Sequence, residues 1–408
     1  MIPEIPCGVI KLGNINFTCL IFQINSDNSY EILSSSIEKS KGIHNGVIVN
    51  SKHAADAIRS CISDAEKKAN LSLKKINLVI EQPEFLCTKF SKHKKINGSK
   101  IHKDDIDFLL KEAKKQVTLN DYNQSIIHIF NHNYVVDGKN FMEEPIGVYA
   151  DFLSHEMTFI TMPKNNMKNI KQAFIDCDIE IERFIFSTFA LAVRLLNQNE
   201  LKNGSILIDV GYEQTSFAIF KNLALIHSMT LPVGINHIAK DFSKVCSLTL
   251  DESINILNSF NFSFEENSKI FGNTFFMKKD YFTTSSYRKI NRKLIEDVAK
   301  ARVDEILLII KKQLNISGIN SNISNTVCVT GGGSYLNNFC DYFSNFFKLD
   351  VKKIEKNKKN GINDQKFDSC LGAIKIIKDG WETEAIPKQS RDYNEKIGFF
   401  SKIFGNRS

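Results

Sequence analysis

The 408-residue chain lacks a CxxC pair among its nine cysteines, and it has only seven prolines and one tryptophan. Scattered cysteines without metal-ligand spacing argue against a structural zinc site and favour a reduced, cytoplasmic protein. A run of about 18 uncharged apolar residues is also missing, so no membrane-spanning helix is predicted. The first stretch contains Glu4, where a secretory signal would place basic residues before a long apolar run, so no signal peptide is predicted.

A strong charge of one sign is absent as well. The 53 Lys and Arg residues against 46 Asp and Glu residues give a formal net charge of +7. The sequence has no basic stripe with interleaved aromatic residues, so we expect no nucleic-acid partner. The length is too great for one simple domain and predicts roughly two to four compact units.

The sequence does contain an internal repeat. The stretches "GVIKLGNINFTCLIF" (Gly8 to Phe22) and "ILIDVGYEQTSFAIF" (Ile206 to Phe220) share one order of apolar, charged and glycine positions. Apolar β-formers on both sides of a glycine and polar turn residues predict a strand, a tight turn and a returning strand in each. Two ordinary hairpins without a common ligand are the alternative interpretation. The paired positions are Lys11 with Asp209, and Gly13 with Gly211.

A third element, "VCVTGGGSYLNNFCDYF" (Val327 to Phe343), places three glycines directly after an apolar strand. Glycines at a strand-to-helix junction let the backbone lie close to a ligand, and a helix N-terminus favours negative charge. The glycines are Gly331, Gly332 and Gly333, and the apolar residues at helical spacing after them are Leu336, Phe339, Cys340 and Phe343.

Two such hairpins in separate halves and a later glycine-rich turn resemble the plan of the actin, sugar kinase and heat-shock ATPase superfamily. Within it, the chain resembles the FtsA family of bacterial cell-division proteins. The resemblance extends from about residue 6 to the end of the chain. It is carried by "SKGIHNGVIVN" (Ser40 to Asn50), "LPVGINHIAKDFS" (Leu231 to Ser243) and "LIEDVAKARVDEILLIIKKQL" (Leu294 to Leu314).

The resemblance implies an α/β fold of the actin/Hsp70-like, two-domain kind, in which duplicated ribonuclease H-like domains carry an FtsA-type inserted subdomain. The predicted segments are a first actin-like domain (1A) at 1–80 and 162–195, the inserted subdomain (1C) at 81–161, a second actin-like domain (2A) at 196–240 and 325–378, subdomain 2B at 241–324, a flexible tether at 379–393 and a membrane-binding amphipathic helix at 394–408.

The predicted insertion contains a helical pattern, "KDDIDFLLKEAKKQ", and strand-like stretches such as "SIIHIFNHNYVVDG". His155 lies in a strand pattern of this segment, and we expect it to be a hydrogen-bonded structural residue. In the family that the chain resembles, this subdomain mediates self-association into filaments and contacts other proteins of the division machinery.

The nucleotide loops depart from the family pattern. Lys11 stands where the family has a carboxylate, and Tyr212 and Glu213 replace two glycines of the second loop. A Cβ obstructs close approach of the backbone to phosphate, and we expect the Glu213 carboxylate to repel phosphate. The resemblance assigns these residues to ATP binding: Lys11, Gly13, Asp209, Gly211, Thr215, Gly234, Glu252, Gly331, Gly332 and Gly333.

Three hypotheses therefore remain open for the cleft that the resemblance implies. It has lost nucleotide, it binds ATP without useful hydrolysis, or it still hydrolyses ATP. The few remaining carboxylates disfavour a bound Mg²⁺ and the third hypothesis, so we predict no catalytic or metal-ligating residues.

The segment "NEKIGFFSKIFGNRS" carries a second functional pattern. On a helical wheel one broad apolar face lies opposite Ser401 and Lys402. This arrangement predicts a helix in the membrane interface, as in the FtsA family, and a helix docked on the protein body is the alternative. The apolar face consists of Ile397, Phe399, Phe400, Ile403 and Phe404.

Basic residues before and within the Leu294 to Leu314 segment predict a partner site. The FtsA family binds the acidic and apolar C-terminal peptide of the tubulin-like protein FtsZ in this region, and arginine holds carboxylates well. A solvated helical face and an internal pair with Glu305 are the alternatives. The predicted residues are Arg288, Arg292, Lys300 and Arg302.

The resemblance implies a protein that polymerises and attaches FtsZ filaments to the inner face of the cytoplasmic membrane at the septum, recruiting later division proteins. An actin-like inner-membrane assembly protein of the type IV pilus, or an active ATPase or kinase of the superfamily, are the alternative functions.

Overall fold

The computed structural model describes residues 6–264, 266–271, 275–316, 326–352 and 365–379. The described residues form two compact units. The first unit takes its residues from 1–203, 218–229 and 357–408, and the second from 204–217 and 230–356. Among the described residues, no helix combines the length and the apolar character needed to cross a membrane.

The first unit contains a five-stranded sheet in the order β11-β6-β1-β2-β3. The strands of the whole unit, in chain order, are β1 (Cys7–Leu12), β2 (Asn16–Ile24), β3 (Tyr30–Lys39), β4 (Ile43–His44), β5 (Val47–Ile48), β6 (Lys75–Ile80), β7 (Leu86–Lys100), β8 (Gln124–Val136), β9 (Lys139–Phe141), β10 (Tyr149–Pro163) and β11 (Glu180–Phe186). Its helices are α1 (Ser51–Ala69), α2 (Lys103–Asn120), α3 (Lys164–Ile175), α4 (Ser187–Leu195) and α5 (Gln198–Asn203), with Asp368–Asp379 returning to this unit later in the chain.

Local sequence explains where α1 begins and ends. Asn45 and Gly46 adopt positive φ angles of 49° and 73° in the turn of the short β4–β5 hairpin, as expected for Asn-Gly. Asn50 then caps α1 by accepting a hydrogen bond from the His53 backbone N–H. Asn70, in the left-handed conformation, ends the helix.

A close helix contact anchors the last described segment to the first unit. A Cβ on Gly372, in the Asp368–Asp379 helix, would lie 1.8 Å from the carbonyl oxygen of Ala190 in α4. The crossing therefore requires glycine, because any side chain would displace the backbone of α4.

The inserted segment forms its own four-stranded antiparallel sheet in the order β7-β10-β8-β9, against which α2 packs. Apolar residues of α2 such as Ile106 and Leu109 share a buried core with Tyr134 and Leu153. His155 lies in β10 as predicted, but the expected hydrogen bond is absent: neither ring nitrogen has a partner among the described residues. Its ring instead stacks on Tyr134 at a centroid distance of 4.3 Å.

The second sheet of the actin-like body has the order β14-β13-β12-β15-β16. Its strands are β12 (Ser205–Val210), β13 (Thr215–Lys221), β14 (Ala224–Leu231), β15 (Thr326–Thr330) and β16 (Val351–Lys352). The helices of the second unit are α6 (Ile235–Cys246), α7 (Leu250–Ser259), α8 (Asn267–Phe271), α9 (Arg292–Ile316) and α10 (Phe339–Phe347), and the later helix of the first unit is α11 (Asp368–Asp379). Phenylalanines fill much of this unit, since Phe242, Phe260 and Phe339 are at most 2% exposed.

Candidate functional site

Both predicted hairpins are present, and they share one turn geometry. A Cβ on Gly13 would lie 2.6 Å from the carbonyl oxygen of Asn16, and a Cβ on Gly211 would lie 2.7 Å from that of Gln214. In the second turn the Gly211 N–H donates to the same Gln214 oxygen at 2.9 Å. The fold of each turn therefore excludes a side chain at its glycine, whether or not a ligand is bound.

The three consecutive glycines follow β15, which pairs in parallel with β12. Gly331 has a φ of 83°, and a Cβ there would lie 2.2 Å from Asp209 Oδ1 and 2.6 Å from the Val210 carbonyl oxygen. Gly331 is thus fixed by its close packing on the end of β12. Gly333 is similarly close to side chains, whereas Gly332 has room for a Cβ.

The sequence pattern predicted that the glycines lead directly into an α-helix, and this prediction is wrong. One turn of 3-10 helix occupies Gly332–Tyr335, and α10 begins only at Phe339. Ser334 stabilises this turn by donating its hydroxyl to the Gly331 carbonyl at 2.7 Å. Asn338 is left-handed, with a φ of 55°, and this break separates Leu336 from the helical run.

The N-terminus of α6 lies against the second hairpin turn. The N–H groups of Ile235 and Asn236 donate to the carbonyls of Gly211 (3.0 Å) and Tyr212 (2.9 Å). His237 N–H donates to the Gly234 carbonyl, and Gly234 N–H donates to the His237 imidazole. The close approach explains Gly234, because a Cβ there would lie 2.5 Å from the carbonyl oxygens of Gly211 and Tyr212.

Glu213 projects towards α6. Its carboxylate accepts hydrogen bonds from Asn236 Nδ2 at 2.7 Å and from Lys240 Nζ at 3.0 and 3.3 Å. Burial acts to raise the pKa of Glu213, but the bonds from Lys240 and Asn236 outweigh burial and hold that pKa below its usual range. Glu213 is therefore ionised at neutral pH and paired with a cation of its own unit.

Sequence reasoning missed Asn236 and Lys240. They stand four residues apart on α6, so they lie on the same face of the helix. That spacing, close behind a carboxylate in a glycine-depleted loop, was the signal that could have found them.

The other residues assigned to nucleotide also make internal contacts. Thr215 is fully buried and donates its hydroxyl to the Val233 carbonyl at 2.7 Å. The fully buried Glu252 caps α7 by accepting from Thr249 N–H, and it binds the N–H and hydroxyl groups of Thr284 and Ser285. Desolvation acts to raise the pKa of Glu252, but the combined effect of these backbone and side-chain donors is larger, so the pKa lies far below its usual range.

The second unit thus brings together most of the predicted nucleotide residues, through the end of β12, the turn after it, Gly234 and the three glycines. Lys11 and Gly13 belong to the first unit. Among the described residues, no group of three or more His, Cys, Asp or Glu side chains is arranged to hold a metal ion.

Three of the four predicted partner-binding residues have partners within the chain. Arg302 forms two bonds to Asp241, at 2.6 and 3.1 Å, and a further bond to Glu305. Arg292 lies 3.4 Å from Glu296, and Arg288 donates to the carbonyls of Cys246 and Ser247. Lys300 is exposed on α9. The predicted membrane-binding residues, Ile397, Phe399, Phe400, Ile403 and Phe404, lie outside the described residues.

Comparison with known proteins gives two family matches. Residues 86–161 match the model described as "SHS2 domain inserted in FTSA", and residues 206–372 match "Cell division protein FtsA". Together these matches cover well over half of the chain.

Individual proteins align over most of their length. "Cell division protein FtsA" of Buchnera aphidicola subsp. Baizongia pistaciae is 26% identical over 88% of this chain and 85% of that protein. The protein of the same name from Neisseria meningitidis serogroup B is 23% identical over 90% of this chain and 89% of its own length.

Among solved structures, a PilM-PilN type IV pilus biogenesis complex matches with a TM-score of 0.61 at 10% identity, covering 91% of this chain and 98% of the other. At this identity the likeness shows the actin-like fold alone.

Proposed function

Because the chain belongs to the FtsA family of cell-division proteins, we propose that it polymerises and attaches FtsZ filaments to the inner face of the cytoplasmic membrane at the septum. One observation supports this above the others: the inserted domain at 86–161 and the FtsA match at 206–372 occur in one chain. An actin-like fold alone would not distinguish division from other roles, whereas both matching family models are described by the name of the FtsA family.

The pilus alternative has weaker support. The similarity to the PilM-PilN complex is a similarity of fold at 10% identity. The relatives that align by sequence over most of their length are cell-division proteins. An adaptor of the division machinery is therefore the function that we propose.

Attachment to the membrane is proposed for the segment 394–408. Its apolar face would bury four or five large side chains, each contributing about 1.5 to 3 kcal/mol when fully inserted. Two glycines weaken so short a helix, so binding should depend on polymers that present many copies together.

Sedimentation with anionic vesicles tests this attachment. Phe400→Asp places a charge at the centre of the apolar face and should abolish sedimentation of the full chain. Ser401→Asp adds the same charge to the opposite face and should retain most of the binding. Equal sedimentation of both variants and the unmodified protein would contradict the proposed membrane segment.

The proposed site for the acidic FtsZ peptide is the basic surface that includes Arg288, Arg292 and Lys300. Lys300 is exposed, and Lys289 and Lys293 add exposed positive charge nearby in the sequence. The Arg302 guanidinium is already bound by the carboxylates of Asp241 and Glu305. Its part in the proposed site is to fix the position of α9 rather than to contact the peptide.

Fluorescence anisotropy with a labelled FtsZ C-terminal peptide tests this site. Lys300→Glu should weaken binding at least tenfold, which corresponds to about 1.4 kcal/mol. Lys312→Glu makes the same charge change at another exposed position of α9 and should leave binding unchanged. Arg302→Ala should chiefly lower the melting temperature. Peptide binding that ignores Lys300→Glu and added salt would exclude the surface.

The inserted subdomain is proposed to contact later division proteins and neighbouring copies. It exposes several apolar side chains close together in sequence: Met142, Ile146, Tyr149 and Phe152 are 49 to 67% exposed. Exposed apolar side chains that form one contiguous patch favour a contact with another protein. Tyr149→Ser combined with Phe152→Ser should reduce self-association in analytical ultracentrifugation while leaving the fold of the chain intact by circular dichroism.

The family resemblance implies ATP as a cofactor, with glycines 331 to 333, Asp209 and Gly234 as the residues of the second unit that would contact it. The bonds of Glu213 to Lys240 and Asn236 favour instead a loop that has lost nucleotide. Bound Mg²⁺ and hydrolysis have less support, because Lys11 stands where a carboxylate would organise the metal.

A further inference from the structure

The first backbone N–H groups of α6 find their hydrogen-bond partners in the second hairpin turn and in α6 itself. A helix N-terminus attracts anions because its first N–H groups lack partners within the helix. Here the N–H groups of Ile235 and Asn236 donate to carbonyls of the turn. The His237 N–H donates to the Gly234 carbonyl, and the Gly234 N–H donates to the His237 imidazole. These donors are therefore consumed by the chain itself.

Negative charge at this position also comes from the chain. Helix α6, which lies wholly within the described residues, has no acidic residue in its first turn. The Glu213 carboxylate supplies the charge from the loop, and its side chain is only 14% exposed. A carboxylate held by an amide and an ammonium resembles a bound phosphate in charge and in its need for donors.

The remaining polar atoms of the turn do not fit a phosphate. Gln214 Oε1 and Asn236 Oδ1 are buried and accept no hydrogen bond from any described residue. Both are acceptors, as are the oxygens of a phosphate, so they would repel it rather than bind it. Lys240 is a cation that contacts this turn, and the Glu213 carboxylate, 3.0 Å from its Nζ, already neutralises it.

We infer that Glu213 is a built-in anionic ligand of Lys240 and Asn236 that takes the place of a nucleotide phosphate in the second unit. The loop is complete without nucleotide, and the carboxylate sets the specificity of the site by excluding polyphosphates. Glu213 thus acts by occupying the donors of Asn236 and Lys240 and not only as a repulsive charge. This inference does not depend on the proposed membrane and FtsZ contacts, so it can fail or hold independently of them.

Binding of the fluorescent probe mant-ATP to the full chain, measured by anisotropy with and without Mg²⁺, tests the inference. The unmodified protein should show no saturable binding below about 1 mM. Glu213→Ala frees Lys240 and Asn236 and should bind the probe at least tenfold more tightly. Adding Lys240→Met to Glu213→Ala should remove the gain, whereas adding Lys244→Met, one turn further along α6 and exposed, should not.

A second measurement covers the case in which Glu213→Ala folds poorly. In urea unfolding, Glu213→Gln and Lys240→Met should each lower stability, and the double variant should lower it by less than their sum, because both remove one interaction. Glu213→Gln with Lys244→Met should be additive. Micromolar binding of mant-ATP to the unmodified protein, unchanged affinity in Glu213→Ala, or additive effects of Glu213→Gln and Lys240→Met would each overturn the inference.

Discussion

The β1–β2 and β12–β13 turns share a backbone and differ in their chemistry. A Cβ added to either glycine would lie nearly equally close to the carbonyl oxygen three residues later, at 2.6 Å for Gly13 and 2.7 Å for Gly211. The charged positions before them carry opposite signs, Lys11 in one and Asp209 in the other. Glycine in such a turn is required by the turn itself, so the repeated glycine can persist in a loop that no longer has the residues to bind a ligand.

The glycines around the second turn are likewise required by packing. Gly331 and Gly234 both approach it so closely that a Cβ would overlap its backbone oxygens or those of the adjoining strand. Glycines at a supposed nucleotide site are thus explained by packing within one unit. Their presence alone does not indicate a bound nucleotide, whereas the side chains around them, Glu213 above all, carry that information.

The largest effect is expected where backbone strain and overlap combine. Gly331→Ala introduces a side chain at a φ of 83° and within 2.6 Å of the Val210 carbonyl oxygen, and should lower stability by about 3 kcal/mol or more. Gly332→Ala is the matched control, since its Cβ would meet only Ile235 at 3.7 Å. Urea unfolding of both variants measures the difference, and similar stabilities would show that the turn after β15 can relax.

The equivalence of the two hairpins can be broken directly. Gly13→Ala and Gly211→Ala each place a Cβ against a backbone oxygen that cannot move without opening the turn, and each should cost about 2 kcal/mol. We expect their losses in urea unfolding to agree within about 0.5 kcal/mol. A loss confined to Gly211→Ala would mean that only the second turn is rigid, and the structural comparison would fail.

Much of this fold follows from sequence patterns. Glycines between apolar strands predicted both hairpins, and the 3.6-residue period of "KDDIDFLLKEAKKQ" predicted α2, because these signals are local. The delayed start of α10 was missed, since Leu336 fits the helical period and only the left-handed Asn338 interrupts it. The partners of Glu213 and Arg302 were harder to foresee, because Lys240 and Asp241 are distant in sequence from the residues they bind.

The ionised state of Glu213 gives a smaller, pH-dependent difference between the turns. Its pKa is depressed in the folded protein, so its contribution is complete above its unfolded pKa, about 4.3, and is lost as pH falls further. Because the Lys240 side chain is 38% exposed, the contribution should be only about 0.5 kcal/mol. Urea unfolding at pH 7 and pH 3 should therefore show a slightly flatter pH dependence for Glu213→Gln. An unchanged slope would indicate that Lys240 does not stabilise the charge.

The smallest expected effect is none, and it concerns the charged residues that distinguish the turns. Hydrolysis needs a metal held by carboxylates and an oriented water, and Mg²⁺ is usually bound by one or two carboxylates with several waters. In the sequence pattern of the FtsA family, Lys11 stands at the position of the first of these carboxylates, and one carboxylate such as Asp209 is by itself a poor set of metal ligands. We therefore expect phosphate release from ATP by the unmodified protein to equal the background of Asp209→Ala, and Lys11→Ala to release no more. A coupled phosphate assay with Mg²⁺ measures all three. Steady release by the unmodified protein that disappears in Asp209→Ala would establish an active ATPase, and Lys11 would then have to take the part of a cation in that reaction.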